Sequence, residues 1–486
     1  MNGYAEQQIL LDFNHNSMFS PETYQRYNYS PVLETSPDWT ADLASARWFN
    51  LLTADVGGVT GSLSRINTST SASVDSGPVH DLNPAGLANS EDNHVHARPR
   101  SESVEVWQSE KDLQLTALEL SVFQNFLDLF DPQQSFAAYA TRLALRNEGL
   151  MKAILALSVQ HTIHLNRRHR TETTLDSNQA VQYYHDTLRY VQTALQYTSY
   201  TLSEELIATS LIISTYEMMH QSHQEWQRHL KGIFWIQRSQ NINGLSKGIR
   251  HAVWRAWLRQ EVWAAFKERR RCLSYWRDPK DFGDQDQHEL ADSATLLLRE
   301  AVNYYAEGGA PEGTDATMGL QEQYRSQRAG QLLALLDRWK SHLGAEYKPL
   351  PGPDTGAVFR PIWIHPSRFG AALQISYFAR LIILMHRPVS AGFDSYSKLQ
   401  RELSSVVSMI CGIAMALEDE GCQIISSQCL FAAGLSVTDD NQRNEIISLI
   451  ESCEERSGWP MSALQEDLRK AWSKVDGVGT PNEQQG

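Results

Sequence analysis

From about residue 107 onward, apolar residues recur at three- and four-residue spacing, the period of an α-helix with one buried stripe. Val181, Tyr184, Leu188, Val191 and Leu195 follow this rule, and so do Leu206, Ile207, Leu211, Ile212, Tyr216 and Met219. Two further stripes are rich in tryptophan: Trp226, Leu230, Ile233 and Phe234, then Ile249, Val253, Trp254, Trp257, Leu258, Val262, Trp263 and Phe266. Residues 149–165 are apolar on most sides, which predicts a buried helix. Later helical stretches are predicted at 287–307, 319–343, 366–387, 396–419, 440–456 and 461–475, with prolines mostly between them. Asp131-Pro132 reads as a helix start, Ser203 as a cap before Glu204 and Glu205, and Asp439 and Asp440 as caps of the next helix. No run alternates with the period of a strand. The expected fold class is therefore all-α, with stacked helical hairpins in one large domain over residues 106–476.

The ends differ from this body. Residues 57–105 are rich in Gly, Ser and Thr and read as a linker, and residues 477–486 as a disordered tail. Residues 1–105 are expected to be largely disordered. Within them, aromatic residues lie among acidic ones, and the stretch 38–54 places Leu43, Trp48, Leu51 and Leu52 near one helical face. Together with Trp39 this is a candidate partner-docking segment, weighed against a tail that simply packs on the main body.

Charge narrows the functions open to the chain. The formal net charge is −14, of which residues 1–105 contribute −8, with 13 acidic side chains, five arginines and no lysine. Phosphate backbones are held by clustered Lys and Arg, so binding DNA unaided is disfavoured. No apolar run of about 18–20 residues is apparent and the N-terminus lacks a signal-peptide pattern, so an intracellular, soluble chain with no membrane partner is expected. The five cysteines (Cys272, Cys411, Cys422, Cys429 and Cys453) form no C-x2-C pair and read as small buried hydrophobes.

Several segments in order carry a resemblance: LTALELSVFQNFLDLFDP at 115–132, NEGLMKAILALSVQH at 147–161, EELIATSLIISTYEM at 204–218, WLRQEVWAAFKERR at 257–270, ISYFARLIILMHRP at 375–388 and GWPMSALQEDLRKAW at 458–472. Together they resemble the fungal-specific transcription factor domain, the regulatory region of binuclear zinc-cluster regulators, over roughly three quarters of the chain. The resemblance implies a nuclear transcriptional regulator that is not an enzyme and needs no cofactor. Its implied partners are other transcription factors or coactivators, a small-molecule effector, and a second chain in a homo- or heterodimer. The chain departs from the family in having no cysteine before Cys272, so no zinc ligand is carried over. DNA is then expected to be reached only indirectly, unless an N-terminal zinc cluster precedes Met1.

Other candidate chemistry is sparse. Lys267, Arg269, Arg270 and Arg271 form a candidate nuclear import patch, as does the run 166–170; either equally reads as a solvated helix end. Glu217, His220 and His223 make one E-x-x-H step, but a carboxylate-bridged metal centre needs two such helices, so an exposed helix end is expected. His161 and His164 lack an acidic partner nearby in sequence and read as ordinary helix residues. Asp439, Asp440, Asn444, Ser448 and Glu451 miss the register of a magnesium-binding helix. An all-α enzyme would have to be built from Asp439, Glu451, Glu217 and His220. The Trp-rich helices read mainly as core, and secondarily as the wall of a small-molecule pocket.

Overall fold

The computed structural model describes residues 126–169, 177–220, 225–308, 315–352, 357–389 and 392–477. The segment 38–54, with Trp39, Leu43, Trp48 and Leu51, lies outside the described residues, as do the linker and the final residues from 478.

The described chain is all-α, as the periodicity predicts. In the first half, α1 (Ser135–Ala144), α2 (Glu148–His169) and α3 (Ser177–Ala194) precede α4 (Glu204–His220), α5 (Glu225–Ser239) and α6 (Gly248–Lys267). The second half comprises α7 (Gln287–Ala306), α8 (Asp315–Ser341), α9 (Ser367–His386), α10 (Phe393–Ala416), α11 (Gln423–Gly434), α12 (Asp440–Ser457) and α13 (Ser462–Gly477). Among the described residues the extended pairing is limited to one isolated bridge, Leu350 with Trp363.

Neighbours in sequence pack as hairpins: α2 on α3, α4 on α5, α9 on α10 and α11 on α12. Helix α6 touches α1, α4 and α5 on one side and α7 on the other, and so joins the two halves. Its buried positions run almost unbroken from Ala252 to Phe266. A helix covered on nearly every side belongs to the interior. Its Trp257 is fully enclosed and donates Nε1–H to the Leu230 carbonyl at 3.0 Å, while Trp339 of α8 does the same to Leu290 at 2.9 Å. Each indole thus buries a large apolar area with its one donor satisfied.

Helix α9 corrects one expectation. By length and composition it is apolar enough to cross a membrane, with a mean hydropathy of 1.3 over its best window. Yet 83% of that window is buried inside the fold, against α7, α10 and α11. Its apolar run serves the core of the helical array.

Local chemistry sets the helix starts. Ser203 Oγ accepts the Leu206 N–H at 3.1 Å, and Asp439 Oδ1 accepts that of Gln442 at 3.0 Å. Asp286 and Glu289 form a reciprocal capping box on α7. The start expected at Asp131-Pro132 is displaced, because α1 begins at Ser135. The Asp131 carboxylate takes the N–H groups of Gln133 and Ser135, and Gln134 turns through a left-handed conformation with φ 49°. Asp128, from the preceding turn, takes the next two, Phe136 and Ala137, each at 2.8 Å. The local signal was read correctly as a cap, but a second carboxylate brought round by the turn shares the work.

The α2–α3 contact depends on the absence of a side chain at Gly149. A Cβ there would meet the Tyr190 ring at 2.1 Å. The Tyr190 hydroxyl is held in turn by Asn147 Nδ2 at 2.7 Å, so the ring has little room to yield.

Asp128 yields a test. Burial pushes its carboxyl from 3.8 up to about 6, against the lowering effect of the helix N–H groups. The folded chain therefore holds this proton more tightly than the unfolded chain. The group's contribution is largest at low pH and is lost as pH rises from about 4 to about 6, by roughly 3 kcal/mol. Asp128→Asn removes that dependence but leaves one N–H of α1 without an oxygen. In urea unfolding the variant should be the less stable chain near pH 4, and the gap should narrow by roughly 2–3 kcal/mol by pH 7.

Candidate functional site

Helix α6 carries a polar stripe through the interior. His251, Arg255 and Arg259 follow one another at four-residue spacing, so they share one face. That face meets Asp292 on α7. Arg255 Nη1 lies 2.7 Å from Asp292 Oδ2, an ion pair by distance, although the N–H is not aimed at the oxygen. Arg259 is 6% exposed, and its Nη2 donates to the carbonyls of Phe126 at 3.1 Å and Leu127 at 2.6 Å. Burial lowers the Arg259 pKa to about 10, and burial likewise raises that of Asp292. His251 donates Nδ1–H to the Ser246 carbonyl at 2.7 Å, the tautomer that this partner requires. Burial and then Arg255 lower its pKa, so the ring is neutral at pH 7 with a lone pair on Nε2.

These residues line a cavity of about 100 Å³ between α6 and α7. Trp254 and Trp276 form one wall, edge to face with ring centroids 4.9 Å apart. Gly244 lets Trp276 close on it, since a Cβ there would meet the ring at 2.3 Å. A smaller hollow of about 20 Å³ adjoins it, walled by Val262, Leu298, Ile375 and Phe378. The two spaces share Arg259 and Thr295 in their linings. Of the Trp-rich helices, Trp254 lines this cavity, while Trp257 serves the core.

The basic run after α6 is engaged by the fold. Lys267 Nζ lies 2.6 Å from Asp467 Oδ2 and 4.3 Å from the centre of the Phe431 ring. Arg269 donates to the Gly308 carbonyl at 2.9 Å and lies over Tyr305. Arg270 grips the fully buried Glu261 through both terminal nitrogens, at 2.6 and 3.0 Å, and also contacts Glu268. Arg271 pairs with Glu307 at 2.8 Å. Of the run 166–170, Arg167 is exposed and Arg170 lies outside the described residues.

Glu217 corrects another expectation. It is 2% exposed, not at a solvated helix end. Tyr184 donates its hydroxyl to Oε1 at 2.5 Å, and His229 Nδ1 lies 2.5 Å from Oε2. The tertiary fold turns this face of α4 towards α3 and α5, which periodicity alone does not show. His220 is exposed and stacks on Tyr216, and His223 lies outside the described residues. His161 meets the Ser457 carbonyl at 3.0 Å and His164 meets Gln160. Asp439 caps α12, Asp440 lies 3.4 Å from Arg443, and Glu451 is exposed. Among the described residues no three His, Cys, Asp or Glu side chains gather as a cation site. Four of the five cysteines are buried and Cys272 is half-buried.

The family match falls on the helices ahead of α6. Residues 120–246 match the fungal specific transcription factor domain. The matched stretch contains α1 to α5 and ends just before α6, and over it the chain is similar to proteins of transcriptional regulation. A curated relative, the transcription activator AMTR1 of Alternaria alternata, is 22% identical over 349 residues, covering 57% of this chain and 45% of that protein. The match therefore spans under half the length of this relative. No solved structure matches the chain.

The basic patch can be tested by dissection. Arg270→Met leaves the Glu261 carboxylate buried without its cation, which costs about 3–5 kcal/mol. Lys267→Ala and Arg271→Ala remove more exposed pairs, worth under about 1 kcal/mol. Thermal melts of the three variants should separate Arg270 from the others. A nuclear import role would show as reduced nuclear signal for Lys267→Ala and Arg271→Ala at unchanged stability.

Proposed function

We propose that this chain is a nuclear transcriptional regulator that acts through protein contacts, with its helical domain responding to a small-molecule effector. The observation that carries the reading is the match of residues 120–246 to the fungal specific transcription factor domain, laid over intact, well-packed helices α1 to α5. The formal net charge of −14 favours contacts with other proteins over unaided contact with phosphate backbones. Its partners are other transcription factors or coactivators. The relative's printed description as a transcription activator supports activation as the sign of the effect.

A pairing arrangement follows from the same charge argument: the chain reaches promoters as one half of a complex whose other member reads DNA. Residues 38–54 offer the docking helix, with Trp39, Leu43, Trp48 and Leu51 as its apolar anchors.

Tethering tests both points. The full chain fused to an unrelated DNA-binding domain should raise expression of a reporter carrying that domain's site in a fungal host. Trp48→Ala with Leu51→Ala should lower the output several-fold at equal protein level, since buried aromatic and aliphatic anchors dominate such interfaces. A silent tethered chain, with no association with chromatin when untethered, would sink the regulatory reading.

A further inference from the structure

Three polar groups lining the cavity between α6 and α7 have hydrogen-bonding capacity that the described residues do not use. Arg259 spends Nη2 on the carbonyls of Phe126 and Leu127, while Nε and Nη1 make no hydrogen bond among the described residues. Thr295 is 5% exposed and its Oγ1 is buried without a partner. The Nε2 of His251 is buried without one too. Buried polar groups are almost always satisfied by protein, water or ligand, so a cavity ringed by unsatisfied ones is built to be filled.

The three groups ask for different things. Arg259 offers donors with a full positive charge, and a carboxylate matches its planar fork. The His251 lone pair accepts, so it needs an N–H or O–H from the occupant. Thr295 can do either. Around the cavity, Arg255 lies against Asp292, Lys280 at the rim pairs with Glu289, and Asp278 adds a third carboxylate to the wall. Arg259 has no carboxylate within hydrogen-bonding distance among the described residues, so its Nε and Nη1 are left to donate to a carboxylate of the occupant. The volume of about 100 Å³ admits about three water molecules or one very small organic molecule. The apolar hollow beyond Thr295 leaves room for a short alkyl group.

We propose that this cavity binds a small α-hydroxy or α-amino monocarboxylate, with its carboxylate on Arg259, its hydroxyl or ammonium on His251 and Thr295, and its alkyl group toward the adjoining hollow that shares Thr295. This assigns a ligand class to the effector and rests on the regulatory reading only for its consequence in transcription.

Calorimetric titration of the full chain with L-lactate, L-alanine and propionate tests the site. Lactate or alanine should bind, and which of them does so distinguishes hydroxyl from ammonium. Propionate, which lacks the donor, should bind about tenfold more weakly or not at all. Thr295→Val keeps the shape and removes the hydroxyl, so it should weaken binding about tenfold with an unchanged melting temperature. His251→Phe should weaken it similarly. Silent titrations with both lactate and alanine would mean that water alone fills the cavity, and would overturn the proposal. So would propionate binding as well as the others, or Thr295→Val binding like the parent chain. The tethered reporter separates the two claims. An active tethered chain with silent titrations removes the ligand site and keeps the regulator, whereas binding with a silent reporter and no chromatin association does the reverse.

Discussion

The fold depends on burying a helix that carries charge. Helix α6 lies between the two halves of the helical array, and its Arg259 sits in the interior with its guanidinium on the carbonyls of Phe126 and Leu127. A buried cation is tolerable when hydrogen bonds replace its lost hydration. These bonds do so, and they also pin the turn ahead of α1 to the centre of the molecule. Asp128 in that turn then caps α1, and Phe126 packs its ring on Trp459 near the other end of the chain. One charged side chain thus ties together segments more than a hundred residues apart in sequence.

The same constraint recurs wherever charge is buried. Glu261, nearly two turns before the end of α6, is closed off from water and answered by Arg270 and by the backbone N–H of Leu273. Glu217 is answered by Tyr184 and His229. The Glu217 arrangement links α4 to α3 and α5, while that of Glu261 fastens the loop after α6 back onto the helix. Such polar links contribute less to net stability than the apolar core and more to choosing one packing of the helices. The cavity between α6 and α7 belongs to this polar seam. Apart from Gly244 and Leu245, its lining lies beyond the stretch matched to the fungal specific transcription factor domain, on the side of α6 that faces the second half.

Much of the helical body was legible because helices announce themselves locally. The predicted stretches 287–307, 366–387 and 440–456 differ by one residue at most from Gln287–Ala306, Ser367–His386 and Asp440–Ser457. Three-and-four periodicity, proline punctuation and capping residues act within a few neighbours of one another, so a linear reading recovers them. The ordered resemblance of segments from 115 onward rested on the same patterns, and the family match at 120–246 falls among them.

The candidate site was legible only in part. The basic run at 267–271 stood out in sequence, yet its partners Asp467, Glu307 and Glu261 lie on α13, just past the end of α7 and on α6. The residues of the cavity drew little notice, although His251, Arg255 and Arg259 interrupt a tryptophan-rich helix at four-residue spacing. Their meaning depends on Asp292 and Thr295, which arrive from α7, and on Trp276 from the loop between. What the sequence determined by itself is the set of helices, their caps and the acidic balance of the chain. Only the tertiary structure decided which charges are buried, and which carboxylate answers which cation. Desolvation depends on everything packed around a group, and no linear pattern records that.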